Sequence, residues 1–164
     1  MPLQFATGRL RIEWSSSDSG DRVVLNGQLD ELAELAAFCE RLGTNVIIDL
    51  EQVSFVNSIG LREWVRTLRA LDQRGAQVTL SRCSEAVVHH MNMVLSARGR
   101  AAVESFHLPY HCDRCDRQVS VCLSVAEHLE TFRHMQVPEQ PCAGCGRAME
   151  MSDLPETYLM FLES

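Results

Sequence analysis

Two Cys-x-x-Cys pairs in the last third of the chain constrain its fold more than any other feature. The first pair is Cys112 and Cys115, the second is Cys142 and Cys145, and 26 residues separate them. Because a Cys-x-x-Cys turn directs two thiolates to one point, two such turns supply the four soft ligands of a tetrahedral zinc site. We therefore expect one structural zinc ion, held by a closed set of four thiolates that leaves no position open for catalysis.

The residues around these pairs indicate a small domain built of short strands. Val119, Val121 and Leu123 alternate with polar residues as in a strand, and residues 148–151 offer a partner strand. A single Cys-x-x-Cys motif that opens a helix would indicate a redox site, but here two motifs occur at metal-ligand spacing. The segment resembles a zinc ribbon. Five nearby residues could replace one of the cysteine ligands: His107, His111, Cys122, His128 and His134. We interpret them as ordinary surface or core residues.

Cysteine usage and the amino terminus indicate a reducing compartment. The chain has seven cysteines, an odd number that does not suit a complete disulfide framework. Residues 1–5 lack the basic segment followed by an apolar segment that marks a signal peptide. No apolar run approaches the roughly 18 residues that span a bilayer. We therefore expect a cytoplasmic protein without a membrane partner.

Residues 1–107 alternate between strand and helix patterns. The predicted strands cover residues 10–14, 23–25, 45–50, 77–80 and 102–107, and the predicted helices cover 32–42, 61–71 and 84–95. This order predicts an α/β fold, a mixed sheet with helices on one side. Cysteines, prolines and glycines replace the periodic segments from about residue 108, so we expect two domains, 1–107 and 108–164. The second ends in a short helix over residues 153–162.

The charge distribution does not favour a nucleic-acid partner. The net charge is −7; residues 1–106 hold 11 Arg against 13 acidic residues, and residues 107–164 hold 4 Arg against 9. Nucleic-acid binding draws most of its affinity from basic residues that neutralise phosphates. The acidic carboxyl-terminal segment would repel a phosphate backbone, so binding of nucleic acid through the ribbon is the least favoured function.

Ser58 lies where an apolar strand gives way to an amphipathic helix. Residues 45–50 are almost wholly apolar, which fits a central strand covered on both faces. A hydroxyl at the start of the following helix faces unpaired backbone N–H groups and the positive end of the helix dipole. It can therefore cap the helix, as Asn57 also can, or it can carry a phosphate. The pattern alone leaves both alternatives open.

The sequence around this junction resembles the STAS domain of anti-sigma-factor antagonists. The matching segments are Gly27-Gln28-Leu29-Asp30, the strand 46–50, and Val53-Ser54-Phe55-Val56-Asn57-Ser58-Ile59-Gly60-Leu61, within residues 9–106. In that family the loop typically reads Asp-Ser-Ser-Gly, and a partner serine kinase that is also the anti-sigma factor phosphorylates the first Ser. The resemblance implies that Ser58 is the phosphoacceptor. Asn57 stands at the Asp position and Ile59 at the second Ser.

The resemblance implies a non-enzymatic module that binds proteins in bacterial signalling. Its binding loop would be Asn57, Ser58, Ile59 and Gly60, and phosphorylation of Ser58 would switch the partner, a serine kinase or anti-sigma factor. An alternative is a constitutive scaffold that uses the same surface and keeps Ser58 as a cap. The chain contains no glycine-rich phosphate loop and no nucleophile elbow, so we do not expect an enzyme.

Overall fold

The computed structural model describes residues 1–163, which form two β-sheets and five α-helices. The strands are β1 (Leu3–Thr7), β2 (Leu10–Ser17), β3 (Gly20–Leu29), β4 (Asn45–Val56), β5 (Gln77–Ser81), β6 (Ala102–Val103), β7 (Ser105–Cys112), β8 (Arg117–Ser124), β9 (Gln140–Pro141) and β10 (Ala148–Met151). The helices are α1 (Ala36–Cys39), α2 (Ser58–Gln73), α3 (Glu85–Met93), α4 (Leu129–Arg133) and α5 (Pro155–Tyr158). Two short 3-10 helices lie at Leu95–Ala97 and Met160–Leu162.

The first sheet is mixed, as the sequence predicts. Its strand order is β1-β2-β3-β4-β5-β6, in which β1 to β3 are antiparallel and β3 to β6 are parallel. The β2–β3 hairpin matches the predicted pair of strands and is closed by the pairing of Ser17 with Gly20. The edge strand β1 was not predicted, although Leu3 and Phe5 alternate with polar residues as in a strand.

One face of the first sheet carries the core, and the other is largely open. Val23, Ile48 and Leu80 lie side by side in register and are at most 3% exposed. Helices α2 and α3 contribute to the same core through apolar residues that include Trp64. Ile47 points to the opposite face and is 38% exposed. The prediction that the apolar strand is covered on both faces is therefore wrong.

The helix predicted over residues 32–42 is reduced to the four residues of α1, because distant side chains bind its backbone. The Glu63 carboxylate accepts the N–H groups of Leu35 and Ala36 at 3.0 and 3.1 Å, which begins α1 at residue 36. At the other end the Arg74 guanidinium donates to the Cys39 carbonyl at 2.6 Å. Glu63 lies in α2 and Arg74 directly follows it, so this segment is shaped by tertiary contacts.

Strand β7 joins the carboxyl-terminal residues to the first sheet. The Cys83 N–H donates to the Ser105 carbonyl, and the His107 N–H donates to the Cys83 carbonyl, at 3.0 and 2.9 Å. The second sheet, of order β8-β7-β10-β9, is antiparallel throughout. The predicted strand at residues 148–151 is confirmed, but it pairs with β7 and β9, so its predicted pairing with the strand at 119–123, which is β8, is wrong.

The carboxyl-terminal segment packs on the rest of the chain. Its predicted helix is split into α5 and the 3-10 helix at Met160–Leu162. The Asn92 side chain on α3 donates to the Tyr158 carbonyl and accepts the Phe161 N–H, both at 2.8 Å. The Phe161 ring meets Phe106 of β7 with ring centroids 5.0 Å apart, so one continuous core spans both sheets. Every helix within residues 1–163 is too short or too polar to span a bilayer.

Candidate functional site

The amino terminus of α2 is capped by Asn57. Its backbone is extended, with φ −107° and ψ 176°, and its Oδ1 accepts the N–H groups of Ile59 and Gly60 at 3.1 and 2.9 Å. This is the usual geometry of an N-cap, in which a side-chain oxygen satisfies N–H groups that lack a partner in the helix. Of the two residues that the sequence offers as caps, Asn57 therefore performs this role.

Ser58 is the first residue of α2 and is exposed to solvent. Its hydroxyl is not used in the cap, and it forms no hydrogen bond with another of residues 1–163. The predicted loop of four residues is thus an N-cap followed by the first turn of a helix. Asn57 is half-buried, Ser58 and Ile59 are exposed, and Gly60 is buried.

Gly60 is buried because α2 approaches the end of β3 at this point. A Cβ atom built on Gly60 would lie 1.9 Å from the Leu29 carbonyl oxygen and 2.6 Å from the Asp30 nitrogen. Cβ atoms essentially never come so close to backbone, so only glycine fits here. Gly60 therefore sets the position of the helix, while Ser58 and Ile59 face outward.

An acidic group lies beside this helix terminus. The Asn57 Nδ2 donates to the Glu31 Oε2 at 2.8 Å, and Glu31 lies two residues after the end of β3. The neighbouring Asp30 is buried, and it accepts the Leu32 N–H at 3.0 Å and an Arg9 guanidinium at 3.2 Å. The carboxyl ends of the parallel strands β3 and β4 thus present a charged edge, which the sequence pattern did not reveal.

Three large apolar side chains are exposed at the same edge of the sheet. Leu32, Phe55 and Ile59 are 49%, 46% and 52% exposed. Together with Asn57 and Ser58 they form what we call the α2 N-terminal surface. Exposed apolar groups next to polar ones are typical of protein interaction sites. Sequence reasoning identified Asn57, Ser58 and Ile59 but missed the exposure of Leu32, which falls in the predicted helix 32–42, and of Phe55, which lies in β4.

The four cysteines of the two predicted pairs converge on one point. All four Sγ atoms lie within 4.8 Å of one another, and the Sγ atoms of Cys112 and Cys145 are 3.6 Å apart. Cys112 ends β7, Cys115 lies in the turn that follows, and Cys142 comes directly after β9. The cluster can therefore hold a metal ion.

Backbone hydrogen bonds prepare one thiol of this cluster for metal binding. The Gly144 N–H donates to the Cys142 Sγ at 3.4 Å. Hydrogen bonds from the backbone of Cys145 and of Gly144 lower the pKa of Cys142 to about 6, which favours its thiolate. A hydrogen bond with Cys145 raises the pKa of Cys115 to about 12. Gly146 closes the second turn at φ +72°, which glycine adopts without strain.

A polar network on the open face of the first sheet was not found from the sequence. Asp49 is fully buried and accepts hydrogen bonds from Arg22, at 2.8 Å, and from Arg82. Arg82 also pairs with Glu51, whose other oxygen lies 3.4 Å from the His107 Nε2 on β7. Burying a carboxylate is tolerated when it is paired and hydrogen-bonded. The network links both sheets, and its members lie too far apart in sequence to form a motif.

Comparison with known proteins finds a similarity in the amino-terminal part of the chain. Residues 24–96 match the family model of the STAS domain. This range runs from β3 to the 3-10 helix after α3, and it includes the Asn57 cap and Ser58. No curated protein matches the chain. The matched range includes most of the parallel strands β3, β4 and β5, so this part of the chain is similar to a STAS domain.

Proposed function

We propose that this chain is a non-enzymatic module that switches protein partners through phosphorylation of Ser58, as an anti-sigma-factor antagonist does. A STAS domain supports a role in protein interaction or signalling in general, and STAS domains are generally not enzymes. The observation that carries the finer proposal is the exposed Ser58 hydroxyl. Because Asn57 caps α2, this hydroxyl is free for a kinase.

The surroundings of Ser58 explain how a phosphate would act. The group would bring about −1.5 to −2 charge to the α2 N-terminal surface. The helix dipole favours an anion at this end. A partner fitted against Phe55 and Ile59 would have to bury that charge beside the Glu31 carboxylate, which binds Asn57. The unphosphorylated form would therefore bind, and the phosphorylated form would release its partner.

The proposed partner is a serine kinase that is also an anti-sigma factor, in the cytoplasm of a bacterium. The binding residues would be Asn57, Ser58 and Ile59, held in place by Gly60. Departure from the family loop at Asn57 and Ile59 makes this surface less acidic and more apolar than Asp and Ser would. A partner with a matching apolar contact for Ile59 is therefore part of the proposal.

A constitutive scaffold is the second candidate, favoured by the exposed apolar side chains of Leu32, Phe55 and Ile59. These residues can support a stable interface without any modification. Under this alternative Ser58 is an ordinary residue of the first helical turn and is not phosphorylated. The two candidates use one surface and differ in whether charge at residue 58 changes affinity.

The deciding experiment starts from an affinity capture of the full chain, with mass spectrometry of the partners and of Ser58. Binding of the captured partner is then measured for the wild type, Ser58→Ala and Ser58→Asp. We expect Ser58→Asp to weaken binding tenfold or more, about 1.4 kcal/mol or more, and Ser58→Ala to bind like the wild type. Equal binding by both variants supports the scaffold.

A matched control comes from the opposite end of the sheet. Ser19 lies exposed in the turn between β2 and β3, away from the carboxyl ends of β3 and β4. Ser19→Asp adds the same charge as Ser58→Asp. It should leave the affinity unchanged, and an equal loss in both variants would mean that net charge alone weakens binding.

For the four-cysteine cluster we propose one structural zinc ion bound by Cys112, Cys115, Cys142 and Cys145. Zinc–sulfur bonds of about 2.3 Å in a tetrahedron place the sulfurs about 3.8 Å apart. The 3.6 Å between the Sγ atoms of Cys112 and Cys145 fits this value. The ion would join the turn after β7 to the segment around β10, and four thiolates leave it no open position.

The division into a STAS-like domain, residues 1–107, and a zinc ribbon, residues 108–164, is also a proposal. Strand β7 runs across the boundary without a break, and Phe106 packs against Phe132 and Phe161. This packing supports a ribbon that unfolds together with the first sheet. The ribbon would stabilise the module or offer it a second docking surface.

A further inference from the structure

A second group of metal-ligating side chains lies next to the cysteine cluster. His111, Asp113 and Glu150 each offer a ligand atom, and these atoms lie within 4.8 Å of one another. The His111 Nε2 is 2.9 Å from an Asp113 carboxylate oxygen. None of the three is a ligand of the cysteine cluster. We propose that they form a second, exchangeable site for a divalent transition-metal ion such as Zn²⁺ or Co²⁺.

The framework of the second sheet brings these three side chains together. His111 of β7 and Glu150 of β10 are directly opposite one another in the antiparallel register. Directly paired residues project from the same face of a sheet with Cβ atoms about 4.5–5.5 Å apart. Asp113 follows His111 by two residues, inside the turn that carries Cys112 and Cys115. A metal ion in the cysteine cluster would therefore also fix the position of Asp113.

The donor set suits a borderline metal ion. One imidazole nitrogen and two carboxylate oxygens are ligands that Zn²⁺ and similar ions accept, and water can complete the coordination. Zinc–nitrogen and zinc–oxygen bonds of about 2.1 Å in a tetrahedron place ligand atoms about 3.4 Å apart. The His111–Asp113 separation of 2.9 Å is shorter than this value, and the other ligand atoms lie within 4.8 Å, so small side-chain rotations suffice.

Charge also favours a cation at this position. Asp113 and Glu150 are both acidic, and a divalent ion would neutralise the repulsion between them. A zinc ion bound by four thiolates keeps a formal net negative charge, which attracts a second cation nearby. His111 is 34% exposed and Asp113 is 75% exposed. The second ion would therefore exchange with solvent more readily than an ion enclosed by four sulfurs.

The test counts metal ions on the full chain. Protein purified with its tightly bound ion is dialysed against Zn²⁺ or Co²⁺ at increasing concentration, and bound metal is measured by mass spectrometry. We expect the wild type to bind a second metal ion per chain, more weakly than the first. His111→Ala and Glu150→Gln should each lose this equivalent and keep the first. In the wild type the added ion should also raise the melting temperature, because it binds the folded state.

Matched controls are His134→Ala and Glu156→Gln, which change an exposed histidine and an exposed glutamate elsewhere in the same segment. Both should keep the second equivalent. Cys142→Ser should lose the tightly bound ion and bind the second ion more weakly than the wild type, because Asp113 is then no longer held in place. A single equivalent in the wild type, or a second equivalent that survives both His111→Ala and Glu150→Gln, would overturn the proposal.

Discussion

Gly60 and Leu29 are in such close contact that no larger residue fits at position 60. A Cβ atom on Gly60 would lie 1.9 Å from the carbonyl oxygen of Leu29. Gly60 belongs to the first turn of α2, and Leu29 ends β3. The missing side chain therefore sets how closely the helix approaches the sheet, and with it the position of Ser58 two residues earlier.

We expect Gly60→Ala to destabilise the protein by about 1–3 kcal/mol, the usual cost of adding atoms to a filled site. The new methyl group would meet backbone, which cannot rotate away. Chemical denaturation gives the free energy of unfolding. Ile59→Ala, one residue away and exposed, should change it by less than about 0.5 kcal/mol. Equal stability of Gly60→Ala and the wild type would contradict the contact.

The cap on α2 gives a second prediction. Asn57→Ala should lower the free energy of unfolding by about 1 kcal/mol, because two N–H groups lose their acceptor. Ser58→Ala should change it by less than about 0.5 kcal/mol, since this hydroxyl is outside the cap. Urea denaturation of the two variants side by side measures the difference. A larger loss in Ser58→Ala would mean that Ser58 is the cap.

Features set by neighbouring residues could be predicted from the sequence. The approach of the two cysteines within each pair follows from a turn of four residues. The start of α3 follows from Ser84, whose hydroxyl accepts the Val87 N–H at 3.4 Å. The amphipathic pattern of α2 predicts its length within a few residues. In each case the information lies within one or two helical turns of the chain.

Features set by distant residues could not be predicted in the same way. Helix α1 is short because Glu63, 28 residues beyond Leu35, binds its backbone. From the sequence, Asp49 has the pattern of an ordinary strand-end residue. Its partner Arg82 lies 33 residues later and is brought beside it only by the fold. The Leu32 and Phe55 parts of the α2 N-terminal surface likewise depend on how β3 and β4 end together. Periodicity and local motifs carry no signal for such contacts.

The cysteine cluster gives a third prediction. Cys142→Ser should release the proposed ion and lower the melting temperature, because that ion would crosslink two segments of the second sheet. Cys122→Ser changes an exposed cysteine outside the cluster and should keep the ion. Bound zinc is measured by mass spectrometry, with and without a chelator. Retention of the full zinc content in Cys142→Ser would contradict the assigned ligands.

The network around Asp49 gives a fourth prediction. Arg82→Ala should destabilise the protein by about 1.5–3 kcal/mol, the range for hydrogen bonds to charged groups, because it leaves a buried carboxylate partly unpaired. Arg22→Ala should cost less, since Arg82 contacts both Asp49 and Glu51. Arg133→Ala, which breaks an exposed pair with Glu130, should cost less than about 0.5 kcal/mol. The free energies of unfolding of the three variants, measured by chemical denaturation, show whether their losses of stability follow this order.

Asp21 makes the stability depend on pH. Burial raises the pKa of its carboxyl, but hydrogen bonds from the Gly43 N–H, at 2.6 Å, and from the Trp14 indole, at 3.0 Å, outweigh burial and leave the pKa lowered. A carboxyl with a lowered pKa in the folded state stabilises that state above its unfolded pKa of about 3.9. This contribution is lost as the pH falls through the folded-state pKa.

We therefore expect Asp21→Asn to destabilise the protein at neutral pH and to do so less at about pH 3. Urea denaturation at several pH values measures the difference in the free energy of unfolding between the wild type and the variant. This gap should narrow on acidification. Loss of other acid-sensitive contacts affects both proteins and cancels in this gap. Asp18→Asn, an exposed change in the β2–β3 turn, is the matched control and should show a small gap at every pH. A gap for Asp21→Asn that stays constant or widens toward low pH would contradict the lowered pKa.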